Sequence, residues 1–174
     1  MTSVSVIGSG AWGTTLSQVL CDAGNDVLIW GRNQDVVSEI NIKHTNESFL
    51  PGAVLPESFK ATSDIELALK RAEVIVLAVP AQTLRANLLN WKAFFPTNKP
   101  VISSLKGIEI QSNLRMSEVV RDCIAMSDSL VGIITGPNLA SELVLRQPAG
   151  AVGASTNPEI SKLIARLFNT NYFR

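Results

Sequence analysis

Val4-Ser5-Val6-Ile7-Gly8-Ser9-Gly10-Ala11-Trp12-Gly13-Thr14 is the stretch that decides the fold. A short apolar run ends in three glycines spaced G-x-G-x-x-G, and a helical pattern opens at Thr14. In a strand-turn-helix unit the first glycine permits the tight turn. The second lets the backbone approach a pyrophosphate, and the third allows close strand-helix packing. A pyrophosphate held there rests on free amide groups and on the positive end of the helix dipole. Glycines also recur in turns for conformational reasons alone, so the motif takes its meaning from its place behind an apolar strand.

Outward from this loop, strand and helix signals alternate to the end of the chain. The helix from Thr14 stops at Gly24, suited to a left-handed C-cap, and Asp26 to Trp30 reads as a second strand. Asn33 caps a helix over 35–44, after which Thr45 to Phe59, with Asn46, Pro51, Gly52 and Pro56, reads as a long irregular loop. A short helix from about Ser63 to Arg71 precedes Glu73 to Val79, apolar after its first residue, as expected of a parallel strand covered on both faces. Pro80 opens a helix to about Trp91, Val101 to Leu105 is a strand, and a helix near Asn113 to Met126 leads to the strand Val131 to Thr135. Gly136-Pro137 is expected to start a helix with proline at its first position, running to about Arg146. Ala149 to Ala154 is strand-like, Asn157-Pro158-Glu159 starts a helix, and Leu167 to Arg174 looks like a helix end leading into a strand. The alternation predicts right-handed βαβ units in an α/β, doubly wound, mostly parallel sheet with helices on both faces. Ligands of such sheets bind beyond the carboxyl ends of the strands.

Composition narrows the function classes. With 46% hydrophobic and 17% charged residues in 174, the chain supports one substantial core. Fifteen basic and fifteen acidic side chains cancel, so the balance argues against a nucleic-acid partner or an anionic membrane surface. No apolar stretch reaches spanning length, so membrane insertion is not expected. Cys21 and Cys123 lie far apart without redox or metal spacing and read as buried free thiols of a cytoplasmic protein. His44 is the sole histidine, which leaves no material for a histidine metal site or a triad.

At the end of the second strand, where an acid commonly grips both ribose hydroxyls, the chain has Gly31-Arg32-Asn33. Asp35 fits the first turn of the following helix better. Arg32 is suited to a 2′-phosphate, to stacking on adenine or simply to a solvated surface; a charge-assisted contact of about 1.5–3 kcal/mol would favour the phosphorylated cofactor, and stacking, which helps both cofactors, makes the preference smaller. Lys106 follows a strand on the same sheet edge, and Gly136-Pro137-Asn138-Leu139-Ala140 opens another strand end, fit either for plain helix initiation or for an anion site of backbone amides.

Taken together, Gly8-Ser9-Gly10-Ala11-Trp12-Gly13-Thr14, Trp30-Gly31-Arg32, Leu50-Pro51-Gly52, Ala78-Val79-Pro80, Lys106-Gly107-Ile108-Glu109 and Gly136-Pro137 resemble, in order, the N-terminal domain of bacterial NAD(P)-dependent glycerol-3-phosphate dehydrogenases. The resemblance spans residues 1–174 as one Rossmann-like NAD(P)-binding domain. It implies reversible reduction of dihydroxyacetone phosphate to sn-glycerol 3-phosphate with NADH or NADPH, for phospholipid synthesis. By position, Gly8, Ser9, Gly10, Ala11, Trp12, Gly13, Arg32, Phe49, Pro80, Lys106 and Ala140 would meet the cofactor. Lys106, Gly136 and Asn138 would border the substrate. Asn138 departs from the serine or threonine common in the family, and Leu139 and Ser141 also vary. The family's helical C-terminal domain, with its proton-transfer lysine, is absent from the sequence, so no catalytic residue is assigned here. The implication is a chain that binds cofactor and turns over poorly by itself, with a homodimer left open for the full-length protein. Ketopantoate reductases and hydroxyacid dehydrogenases share the fold and the loop, as would a non-enzymatic nucleotide-binding redox sensor; Lys106-Gly107-Ile108-Glu109 separates the chain from the other reductases.

Overall fold

Strands and helices alternate along the chain because short β-branched runs are separated by capped helices. The first half of the computed structural model, which describes residues 1–174, comprises β1 (Ser3–Ile7), α1 (Ala11–Asp22), β2 (Asp26–Trp30), α2 (Gln34–Lys43), β3 (Lys60–Thr62), α3 (Ile65–Arg71) and β4 (Val74–Leu77). The second comprises α4 (Leu84–Trp91), β5 (Val101–Ser103), α5 (Met116–Ile124), β6 (Val131–Thr135), α6 (Ala140–Leu143), β7 (Val152–Ser155) and α7 (Pro158–Phe168). One seven-stranded sheet runs in the order β3-β2-β1-β4-β5-β6-β7. All pairs are parallel except β6 with β7. This is the doubly wound Rossmann-like order, and its direction reverses between β1 and β4.

Strand β1 shows why both faces are covered. Val4 and Val6 point into a cluster with Leu16 and Val19 of α1, Ile40 of α2 and Ile164 of α7. Ile7 belongs to the opposite cluster, with Leu69 of α3, Leu88 of α4 and Val120 of α5. Ser5 shares that second face, and its hydroxyl donates to Ala68 O at 2.7 Å, which removes the cost of burying it. Register fixes the central trio: Val4 lies opposite Val27 of β2 and Val74 of β4.

The helix ends follow the expected chemistry. Asn33, Asp64 and Asn157 each accept an N–H bond at the start of α2, α3 and α7. Helix α1 closes with Gly24 N–H donating to Cys21 O and Asn25 N–H to Leu20 O, with Gly24 at φ +83°.

Several boundaries differ from the sequence reading. Helix α1 begins at Ala11, three residues early, because the glycine loop itself is its first turn. Strand β3 was not expected: three residues, Lys60-Ala61-Thr62, are too short for a period, and they form by pairing with β2. Pro80 leads into a short 3-10 turn over 81–83 before α4. Pro137 is not the first helical residue. Leu139 keeps an extended backbone and caps α6, a single turn. That turn is tied to α1, with Thr15 Oγ1 donating to Ala140 O and Gln18 Nε2 to Val144 O, and Arg146 beyond it turns left-handed at φ +59°. The chain end forms a bridge rather than a full strand, with Ala149 beside Phe173.

Cys123 is buried as expected, whereas Cys21 is only partly covered. Burial is still the main reason that the Cys21 thiol is pushed up to about 11, against a lowering hydrogen bond from Ser58. A thiol raised from 9.0 to about 11 in the folded chain holds its proton more tightly there. The stability it contributes is complete below pH 9 and is lost as pH rises towards 11. In a Cys123→Ser background, alkylation of Cys21 by iodoacetamide is expected to stay slow at pH 9 and to accelerate towards pH 11. Rapid modification already at pH 8, as for an ordinary thiol, would contradict this placement.

Candidate functional site

A cleft of about 770 Å³ opens at the carboxyl edge of the sheet, where β1 and β4 diverge. Of its 22 lining residues, two carry charge, Arg32 and Lys106, and none is acidic. In a chain with no net charge, this edge is therefore locally cationic.

The glycine loop forms its floor. Gly8 sits at φ +127°, and a Cβ there would come within 2.6 Å of Ala78 O, so only glycine lets β1 end so close to β4. A Cβ on Gly13 would overlap Gly8 O, which is why helix and turn can nest. Gly10 differs: at φ −72° it has nothing within 4 Å of where a Cβ would stand. The first backbone amide of α1 with an acceptor is Thr14 N–H, on Gly10 O at 3.0 Å; the N–H groups of Ala11, Trp12 and Gly13 have none in the chain. Trp12 is partly buried along this turn, and its indole N–H lies buried without an acceptor.

Strand β2 delivers the second wall on a rigid mount. The Trp30 indole donates to Ser63 O at 3.1 Å and packs edge-on against Trp91, 5.2 Å between centroids. Gly31 N–H donates to Thr62 O, and a side chain on Gly31 would overlap Ser9 Oγ. Arg32 then projects exposed at the rim and joins none of the salt bridges. Asp35 lies in the first turn of α2, outside the cleft.

Lys106 stands beyond β5, and its ammonium donates to Gly136 O beyond β6 at 2.8 Å. The segment after it is pinned to the helical layer. Gln82 Nε2 donates to Ile108 O at 2.9 Å, and the Arg85 guanidinium donates to both oxygens of buried Glu109. The Arg85 guanidinium, helped by the Ser112 hydroxyl, holds the Glu109 carboxyl below the usual carboxylate range. Asn138 is partly buried on the facing side, its Nδ2 buried without an acceptor.

The structure brings Gly8, Ser9, Gly10, Ala11, Trp12, Arg32, Phe49, Pro80, Lys106, Asn138 and Ala140 to this one cleft. Gly13 and Gly136 lie outside its lining, Gly13 packed behind the loop and Gly136 reached through Lys106. His44 also lies outside, as the left-handed C-cap of α2. Sequence reasoning missed Thr83, Asn87 and Ser104 in the lining and, behind the floor, Asn46. The first three lacked a motif, and for Asn46 the only signal was a short polar side chain in a long loop.

Comparison with known proteins fits this geometry. Over 174 residues, the whole chain, it is 44% identical to the glycerol-3-phosphate dehydrogenase (NAD(P)+) of Corynebacterium glutamicum, covering 52% of that protein. It is 44% identical over 172 residues to a second such enzyme from Mycobacterium tuberculosis, again covering 52% of it. The chain thus spans about half the length of the curated relatives it matches. The crystal structure of glycerol-3-phosphate dehydrogenase from Coxiella burnetii superposes with a TM-score of 0.90 at 27% identity, covering 99% of this chain and 52% of that one. The enzyme from Plasmodium falciparum gives 0.90 at 25% identity, with 99% and 51% covered. Residues 3–161 match the family model described as NAD-dependent glycerol-3-phosphate dehydrogenase N-terminus, and the chain belongs to that family.

Proposed function

We propose that residues 1–174 form the cofactor-binding domain of a cytoplasmic NAD(P)-dependent glycerol-3-phosphate dehydrogenase, interconverting dihydroxyacetone phosphate and sn-glycerol 3-phosphate. The observation that carries this reading is Gly10. Gly8 and Gly13 are demanded by protein atoms at close range, but nothing in the protein crowds Gly10. Its glycine is explained by something that approaches from the cleft, and the unpaired amides of Ala11 and Trp12 suit that something to be an anion. With a pyrophosphate on these donors, Arg32 would be available to one end of a dinucleotide and Lys106 and Asn138 to the other, all three lining the same cleft.

When bound, the nicotinamide supplies or accepts the hydride. The chain's own residues bind and orient. The amides at the start of α1 hold negative charge against the helix dipole, and Trp12 and Phe49 cover apolar surface along the cleft. Lys106, steadied by Gly136 O, offers a positive charge to a substrate phosphate or to a developing alkoxide. Asn138 has a buried amide donor to offer a substrate oxygen. Neither Arg32 nor Lys106 is assigned the proton, and on this reading the proton-transfer group lies outside residues 1–174.

Gly10→Ala tests the assignment because alanine fits φ −72° and meets no protein atom. Stability is expected to change by less than about 1 kcal/mol, while NADPH affinity of the chain, measured by titration calorimetry, falls at least about tenfold. Gly13→Ala, whose Cβ overlaps Gly8 O, is expected instead to lose about 2–4 kcal/mol of stability. Unchanged NADPH binding in a folded Gly10→Ala chain would remove the basis of the assignment.

Arg32 sets the nucleotide preference. With no acid in the cleft to grip two ribose hydroxyls, Arg32→Ala is expected to weaken NADPH by about tenfold and NADH by less than about threefold. Equal losses for both would mean that Arg32 acts by stacking alone.

A further inference from the structure

We infer that Asn46 is a positioning residue for the pyrophosphate loop, orienting the Gly10 amide from behind; this rests on the dinucleotide reading above. Asn46 belongs to the irregular segment between α2 and β3, yet it is 0% exposed. A buried amide is costly unless its donors are used. Its Nδ2 donates to Ser9 O at 3.0 Å and to Thr14 Oγ1 at 2.8 Å. Because Ser9 O can only accept, the end of the amide that faces it is fixed.

The consequence follows from peptide geometry. Ser9 C=O and Gly10 N–H share one planar trans peptide unit, so they point to opposite edges of it. Holding the carbonyl on buried Asn46 sends the Gly10 N–H the other way, and Gly10 lines the cleft. The same residue shapes a second wall. Its backbone carbonyl accepts from Phe49 N–H at 3.1 Å and Leu50 N–H at 2.8 Å, and Phe49 also lines the cleft. Asn46 therefore couples the floor of the phosphate site to the turn carrying Phe49. It is not a choice optimised for stability, since its Oδ1 lies buried without a donor. A polar group kept at such a cost fits a task of orientation.

The test compares ADP-ribose, which carries the pyrophosphate, with adenosine, which does not, by calorimetric titration of the 174-residue chain. Asn46→Leu removes both donors at similar volume. It is expected to weaken ADP-ribose about tenfold or more while adenosine changes less than about twofold. In the wild-type chain, the Asn46 side-chain amide protons are expected to be protected from exchange and to shift on addition of ADP-ribose but not of adenosine. This second measurement decides the matter if the variant does not fold. Equal losses for both probes, unchanged ADP-ribose binding, or a freely exchanging Asn46 amide would each overturn the inference while leaving the dinucleotide reading in place. Failure of the wild-type chain to bind ADP-ribose would overturn both.

Discussion

The close approach of β1 to β4 at Gly8 and Ala78 is the constraint on which the rest of the structure depends. Two parallel strands that leave in opposite directions open a crevice at their ends, and the crevice is usable only if the turn leaving β1 stays tight. A positive φ at Gly8 and the carbonyl of Ala78 pressed against it achieve that. The turn then becomes the first turn of α1, and the residues with unpaired amides Ala11 and Trp12 line the crevice. Crowding behind the turn and open space in front of it are two sides of one arrangement.

Electrostatics follows the same division. The chain carries no net charge, and most of its arginines are committed to structural pairs, such as Arg85 with Glu109 and Asp122 or Arg146 with Asp22. Arg32 and Lys106 are held apart from this pairing, one on a strand end braced by Trp30 and Trp91, the other on a neighbouring backbone carbonyl. The cleft's positive charge is thus built from local placement, which spares the fold the self-repulsion of a strongly basic surface.

Much of this was legible in the sequence because the fold rests on local rules. Continuous apolar runs such as Val74 to Leu77 mark buried parallel strands, and Asn33 and Asn157 mark helix starts whose caps are present in the structure. The cleft residues predicted from the strand ends converge because a doubly wound sheet brings every such end to one edge. What was not legible arises from contacts distant in sequence. Lys60 to Thr62 is a strand only because β2 offers it an edge, and α6 is a single turn tied by Thr15 and Gln18 to α1, more than a hundred residues away. Asn46 showed no period and no motif, and its role depends on a peptide 37 residues away. In Lys106-Gly107-Ile108-Glu109 the lysine was readable as a ligand-edge residue, but the anchoring of Glu109 by Arg85 was not.

In the proposed function, the backbone amides at the start of α1, at the switch point, hold the anionic centre of a dinucleotide. Backbone amide NMR of the wild-type chain titrated with ADP-ribose tests it most directly. The N–H signals of Gly10, Ala11 and Trp12 are expected to move downfield and gain exchange protection, while Thr14 N–H, already bonded to Gly10 O, stays nearly still. Saturable binding that leaves those three amides unmoved, or that moves signals away from this edge of the sheet, would contradict the account.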